Sequence, residues 1–127
     1  IITIASIIQK EAANEEQMKL VSSVIHNRLK KSMRLQCDST GAYVDRYIKP
    51  NVSDGEYQAY RERYYTFLCD ALPAGPICNP GADAIEAALY PKDTSYLYFY
   101  HDKNGKIYMA RTLEQHQANQ VKALQNS

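Results

Sequence analysis

The opening eleven residues constrain this chain more than any other segment. In Ile1-Ile2-Thr3-Ile4-Ala5-Ser6-Ile7-Ile8-Gln9-Lys10-Glu11, the residues Ile8, Ile7 and Ile4 lie three, four and seven positions before Glu11. On a helix they share its face, while Thr3, Ser6, Gln9 and Lys10 fall on the other side. An apolar face of this kind has to be buried, and it carries a carboxylate inward with it. Burial makes ionisation costly and raises the pKa unless a cation or several donors compensate. That is the environment of a general acid working near neutral pH. The competing structural reading is a Glu at a helix end, solvated or paired with a nearby cation.

This helix is expected to end near Ala13. Asn14 has the character of an N-cap, with Glu15 and Glu16 in the first turn and Gln17 as the reciprocal member of a capping box. Met18, Val21, Ile25 and Leu29 then form a stripe at helical spacing, so a second helix runs to about Lys31 and leaves Glu11 beside an αα corner. Met33 to Asp38 alternates in polarity and is expected to form one strand. Asp38-Ser39-Thr40 is expected to cap a brief helix reaching about Tyr47. Tyr57, Tyr60 and Tyr64 suit a helix, although a surface excursion over residues 50–70 fits as well. The segment from Leu72 to Gly81 holds three prolines and two glycines, which make it a shaped loop. A helix carrying Ile85, Ala88 and Leu89 follows and stops at Pro91. Tyr96–Tyr100 and Ile107–Ala110 flank Asn104-Gly105 and predict a β-hairpin. Thr112 and Gln115 open a last helix with Leu113, Val121 and Leu124 expected inward. The fold class is α+β: a helical N-terminal part, a small antiparallel hairpin and a closing C-terminal helix.

With 127 residues the chain is expected to be one domain, residues 1–127. A net charge of +1 gives no electrostatic case for nucleic acid, and no such partner is expected. Lys30, Lys31 and Arg34 form a small basic cluster that reads as a solvated helix end. The three cysteines lack CxxC spacing and no histidine pair has ligand spacing, so no metal site is expected. Free thiols are the default, with a single bridge as the alternative. The opening apolar run is shorter than the ~20 residues of a membrane-spanning helix. It begins inside a helical pattern without Met or an N-cap, and we read the chain as part of a longer protein. Eleven tyrosines and no tryptophan suit a cleft for sugars or peptides, although most are expected at half-buried packing positions.

Other chemistries find little support. GxSxG and a phosphate-cradling glycine loop are both missing. His26 and His101 read as surface residues, and His116 as a structural one. Carboxylates remain. Glycoside cleavage needs a proton donor at the leaving oxygen, commonly with a second carboxylate, for which Asp38 is the candidate. A single group suffices if the sugar's own hydroxyl attacks, since that group can act as acid and then as base.

Several motifs in order, Ser6 to Ala12, Val24-Ile25-His26-Asn27-Arg28-Leu29, Met33 to Asp38, Leu72 to Gly81, Ala84 to Pro91, Tyr96 to Phe99 and Thr112 to His116, cover nearly the whole chain. Together they resemble the catalytic domain of the MltG/YceG-like endolytic murein transglycosylases. The resemblance implies an enzyme that cuts the β-1,4 bond between N-acetylmuramic acid and N-acetylglucosamine within peptidoglycan strands, leaving 1,6-anhydromuramyl ends. It places the catalytic acid/base on Glu11. It puts Asn27, Arg28, Arg34, Gln36 and Asp38 on motif positions that line or brace the cleft, Asn79 in a loop wall, and Tyr98 beside the sugar or in the sheet.

The resemblance also implies no cofactor. Some relatives carry an aminodeoxychorismate lyase label, but nothing in the sequence suggests a pyridoxal site. Intact members carry an N-terminal membrane anchor and a LysM-like part, act outside the cytoplasmic membrane and work with the wall-synthesis machinery. This chain departs from the pattern at Tyr65 and Phe67, at Ala71 and Ala74, at Ile107 (where a histidine is frequent) and at Met109. A lysozyme-type hydrolase and a non-catalytic wall-binding or scaffold module are the alternative readings.

Overall fold

The computed structural model describes residues 1–125. Helix α1 spans Ile2–Glu11 and buries Ile4, Ala5, Ser6, Ile7 and Ile8. It stops where Ala12 turns extended, its N–H still closing on the Ile8 carbonyl at 3.0 Å. Asn14 caps α2, Glu15–Lys30, by accepting the Gln17 N–H at 3.1 Å. The reciprocal arm lands one residue earlier than a capping box requires: Gln17 Oε1 accepts from the Ala13 N–H at 3.0 Å. Its amide nitrogen reaches the Gly105 carbonyl at 2.7 Å, pinning the αα corner to the distant hairpin.

The core forms where α1 and α2 meet the helix Ala82–Leu89, and Ile7, Ile8, Val21, Ile25, Ala84 and Ala87 fill it. Alanines on that last helix allow close approach. Each isoleucine buried here contributes roughly 1.5–3 kcal/mol. Leu89 is 49% exposed, because Ala84, Ala87 and Ala88 form the inner face.

The polar side of α1 is only partly solvated: Lys10 is exposed, while Ser6 and Gln9 are engaged. Ser6 is fully buried, donating to the Thr3 carbonyl at 2.7 Å and accepting the Ile77 N–H at 3.1 Å. Gln9 Oε1 accepts the Gly81 N–H at 2.9 Å. The proline-rich loop is thereby sutured along α1.

Residues 33–37 do not form the expected strand. Gln36 adopts a left-handed backbone, φ 53°, which breaks any ladder. Thr66 supplies the missing partners instead. Its carbonyl takes the Gln36 N–H at 3.2 Å, while its hydroxyl accepts the Cys37 N–H at 2.8 Å and donates to the Cys37 carbonyl at 3.1 Å. Helix α3, Asp38–Tyr43, follows, with Asp38 inside its first turn and not capping it. It continues through a π-type turn, Val44–Ile48, and a short 3-10 turn, Lys49–Asn51. Residues 54–64 are helical: α4, Asp54–Tyr64, is capped by a reciprocal Ser53–Glu56 box. Gly41 lets the Tyr65 ring approach, since a Cβ there would sit 2.8 Å from it.

Beyond α5, the helix Ala82–Leu89 already described, β1 (Tyr98–His101) pairs antiparallel with β2 (Ile107–Ala110). Gly105 takes φ 82° in the turn between them, as the Asn-Gly signal requires. Helix α6, Leu113–Gln125, lies on the hairpin. The expected inward residues Leu113, Val121 and Leu124 are instead 54%, 57% and 72% exposed. The two-stranded sheet meets a different stripe, where Asn119 donates to the Met109 carbonyl at 3.0 Å and Ala123 is buried.

The Thr66 hydroxyl is the partner of the Cys37 N–H, which no sheet ladder serves. Thr66→Val is expected to lower the unfolding free energy by roughly 1–3 kcal/mol, and Thr66→Ser to retain most of it, as read by urea denaturation.

Candidate active site

Glu11, the last residue of α1, sits where two arms of an open groove meet. One arm, a cavity of about 460 Å³, is bordered by Arg28, Gln36, Asp38 and Tyr98 over a floor of Val24 and Leu35. The other, about 350 Å³, is bordered by Tyr43 and Tyr47. Glu11 and Asp38 belong to both.

The Glu11 carboxyl is held above its ordinary value of 4.5, and burial is the main cause. The Ser39 hydroxyl and backbone N–H oppose this, and Asp38 adds to it. Ser39 Oγ is itself buried and has no other hydrogen-bond partner among the described residues. Placement in the last turn of α1, at the negative end of the helix dipole, further disfavours the anion. Below it, Cys37 is 3% exposed, and burial, then Glu11, push its thiol far up. It stays protonated and is no nucleophile.

Arg28 is 6% exposed and acts as a brace. Nε donates to the Leu97 carbonyl at 2.6 Å, Nη1 to the Arg34 carbonyl at 2.7 Å, and the guanidinium lies 4.8 Å from the Tyr98 ring centroid. The sequence candidates thus divide. Glu11, Arg28, Gln36, Asp38 and Tyr98 come together around the groove. Asn27 points away from it, donating to the Thr94 and Tyr96 carbonyls at 2.8 and 2.9 Å and so holding the segment that leads into β1. Arg34 faces outward to Asp70 at 3.1 Å and the Phe67 carbonyl at 3.0 Å. Asn79 is exposed and does not border either arm.

Two histidines read as surface or structural from sequence border the Glu11 groove. Gln17 Oε1 already accepts the Ala13 N–H, so His101 Nε2, 2.7 Å away, must donate to it. Burial lowers the pKa of His101, with Asp102 opposing, and so favours the neutral ring. The signal was cross-strand. His101 lies directly opposite Ile107, the position where the resembled pattern has histidine, and opposed residues share a sheet face. His116 stacks on Tyr98, centroids 5.0 Å apart, with its Nδ1 buried and unpartnered among the described residues. Burial, then Arg28, lower its pKa. His26, the third histidine, is half-buried and bonds the Ala88 carbonyl at 2.9 Å. Among the described residues no three or more His, Cys, Asp or Glu side chains are grouped to hold a metal.

The architecture is an α+β domain with a half-buried carboxyl group, its pKa raised by burial, where two arms of a groove meet. The chain belongs to the YceG-like family, whose sequence model matches residues 1–122. It is 37% identical over 122 residues to an endolytic murein transglycosylase of Bacillus subtilis, covering 91% of this chain and 32% of that protein. An endolytic murein transglycosylase of Streptococcus pneumoniae is 34% identical over 124 residues, covering 94% of this chain and 22% of that protein. The crystal structure of a YceG-like protein from Listeria monocytogenes superposes with a TM-score of 0.79 at 42% identity, covering 92% of this chain and 38% of that one. The chain therefore spans about a third or less of the curated relatives it matches.

A raised carboxyl pKa has a defined effect on stability. The folded state holds the proton more tightly than the unfolded chain, so the contribution of Glu11 is full below 4.5 and is lost as pH rises through the folded pKa. Glu11→Gln should remove that slope and melt at a higher temperature than the unaltered protein at pH 7. Thermal melts across pH 4–8 check this.

Proposed function

We propose that this chain is the catalytic domain of an endolytic lytic transglycosylase acting on peptidoglycan. The observation that carries the reading is Glu11, its carboxyl pKa raised by burial yet open to a groove with an arm on each side. A groove open at both ends lets a strand pass through and be cut internally. The names of the B. subtilis and S. pneumoniae relatives support the same substrate.

Glu11 in its acid form protonates the glycosidic oxygen between the muramyl and glucosaminyl residues. The muramyl C1–O bond breaks and the glucosaminyl residue leaves as an alcohol. The C6 hydroxyl of the same muramyl residue attacks C1, and the Glu11 carboxylate takes its proton. One C–O bond is exchanged for another, Glu11 ends protonated as it began, and no water is consumed. The acid step suits a buried carboxyl, and the base step suits it equally, because the anion formed there is poorly solvated and recovers a proton readily. Asp38, exposed at the rim, has no chemical step in this scheme. Arg28 and Tyr98 keep the wall in register.

In the whole protein we place this domain at the outer face of the cytoplasmic membrane, held by an anchor and working beside the wall-synthesis machinery. Among the described residues no helix is long and apolar enough to cross a membrane.

Mass spectrometry of digested peptidoglycan tests the reaction. Anhydromuramyl ends are expected, and Glu11→Gln should reduce their formation by roughly 10²–10⁴-fold, while Asp38→Asn should still yield them. Reducing ends, with activity lost in Asp38→Asn, would identify a lysozyme-type hydrolase. Cleavage by the longer protein that Glu11→Gln leaves unchanged would defeat the assignment of Glu11, and glycan binding with no cleavage at all would leave a wall-binding module.

A further inference from the structure

The tyrosine-lined arm of the groove carries two cations that the fold does not engage in ion pairs. Tyr43 and Tyr47 stand one turn apart with ring centroids 5.8 Å apart, and Tyr47 is 53% exposed. The Arg46 guanidinium lies 5.5 Å from the centroid of the Tyr47 ring, and Lys10 borders the same arm. Both cations are exposed. Among the described residues the ion pairs are Lys19–Glu86 and Arg34–Asp70, so neither Lys10 nor Arg46 is paired. The acids bordering this arm are Glu11 and Asp38, both at its junction with the other arm.

That opposite arm is different. Its one guanidinium, Arg28, is engaged by the Leu97 and Arg34 carbonyls and by the Tyr98 ring. Its imidazoles, His101 and His116, both favour the neutral form. The groove is therefore polarised, with free positive charge beside an exposed aromatic face at one end only. An aromatic face suits a sugar ring, and unpaired cations beside it suit carboxylates hanging from that sugar.

We propose that the tyrosine arm is a specificity subsite for a muramyl residue bearing an acidic peptide stem, with the ring against Tyr43 and Tyr47 and stem carboxylates on Lys10 and Arg46. The inference rests on the glycan-cleaving reading above. It sets the direction of the strand, with the muramyl residue at the cut on the tyrosine side and the glucosaminyl residue against Tyr98. It also makes binding depend on the charge of the stem and not on the sugar alone. Stem carboxylates held at the surface by two cations should add about tenfold in affinity at low salt, and less as the screening length falls below ~8 Å.

Calorimetry on the Glu11→Gln protein, which leaves its ligand uncut, provides the test. Three soluble glycan oligomers are compared: stems with free carboxylates, stems with amidated carboxylates, and no stems. The free-carboxylate ligand should bind about tenfold more tightly than the other two. The preference should shrink in high salt and collapse in a protein also carrying Lys10→Gln and Arg46→Gln. Equal affinities for all three ligands, a preference that survives the double substitution, or no binding of any of them would overturn the proposal. The unaltered protein's product ends report on the reaction independently. Charge-dependent binding without anhydro ends would sink the reaction and leave the subsite standing.

Discussion

The enclosure of α1 is the constraint on which the rest of the structure depends. Ile7 and Ile8 are fully buried on the face toward α2 and α5, and Ser6 and Gln9 tie the opposite side to the proline-rich loop. A helix covered this way cannot rotate or slide, so its last residue has one position available. That residue is Glu11, and the packing that stabilises the core is the same packing that desolvates the carboxyl. Stability and acid strength are thus set by one set of contacts. Burial and the end of the helix dipole both disfavour the Glu11 anion.

The groove walls come from elements that would otherwise drift, and a few polar side chains hold them. Gln17 joins the Ala13 N–H, the Gly105 carbonyl and His101, so the αα corner and the hairpin turn share one amide. Arg28 ties α2 to Leu97 and Arg34, fixing the sheet and the 33–37 segment to each other. Thr66 anchors the backbone of Gln36 and Cys37, and Thr40 joins the same knot at 3.0 Å. These bonds are buried or half-buried, which is where a hydrogen bond's geometry is best enforced and its loss most costly.

Local patterns in the sequence carried much of this. The Ile4-Ile7-Ile8-Glu11 face, the Asn14 cap, the Asn-Gly turn and the Pro91 stop all act within a few residues, and each formed close to where its chemistry demands. What could not be read were choices made over long separations. The strand expected at residues 33–38 gave way to a knot with Thr66, 29 positions beyond Cys37. On α6 the apolar stripe of Leu113, Val121 and Leu124 lost to a polar one, since a hairpin offering a free Met109 carbonyl selects Asn119. His101 became a groove residue only through its register opposite Ile107 and its contact with Gln17. Among the site candidates, Glu11, Arg28, Gln36, Asp38 and Tyr98 converge although they come from four separate segments, whereas Asn27 and Arg34 turn to bracing. Motif position told which segments meet, but not which way each side chain faces.

The central claim is that burial at the end of α1 keeps a proton on Glu11. Carbon-13 NMR titration of the glutamate carboxyls, with Glu11 assigned by its loss in Glu11→Gln, measures this directly. The Glu11 carboxyl should titrate with a midpoint clearly above 4.5. A midpoint at or below that value would mean a solvated or ion-paired carboxylate, and the acid/base account would fail.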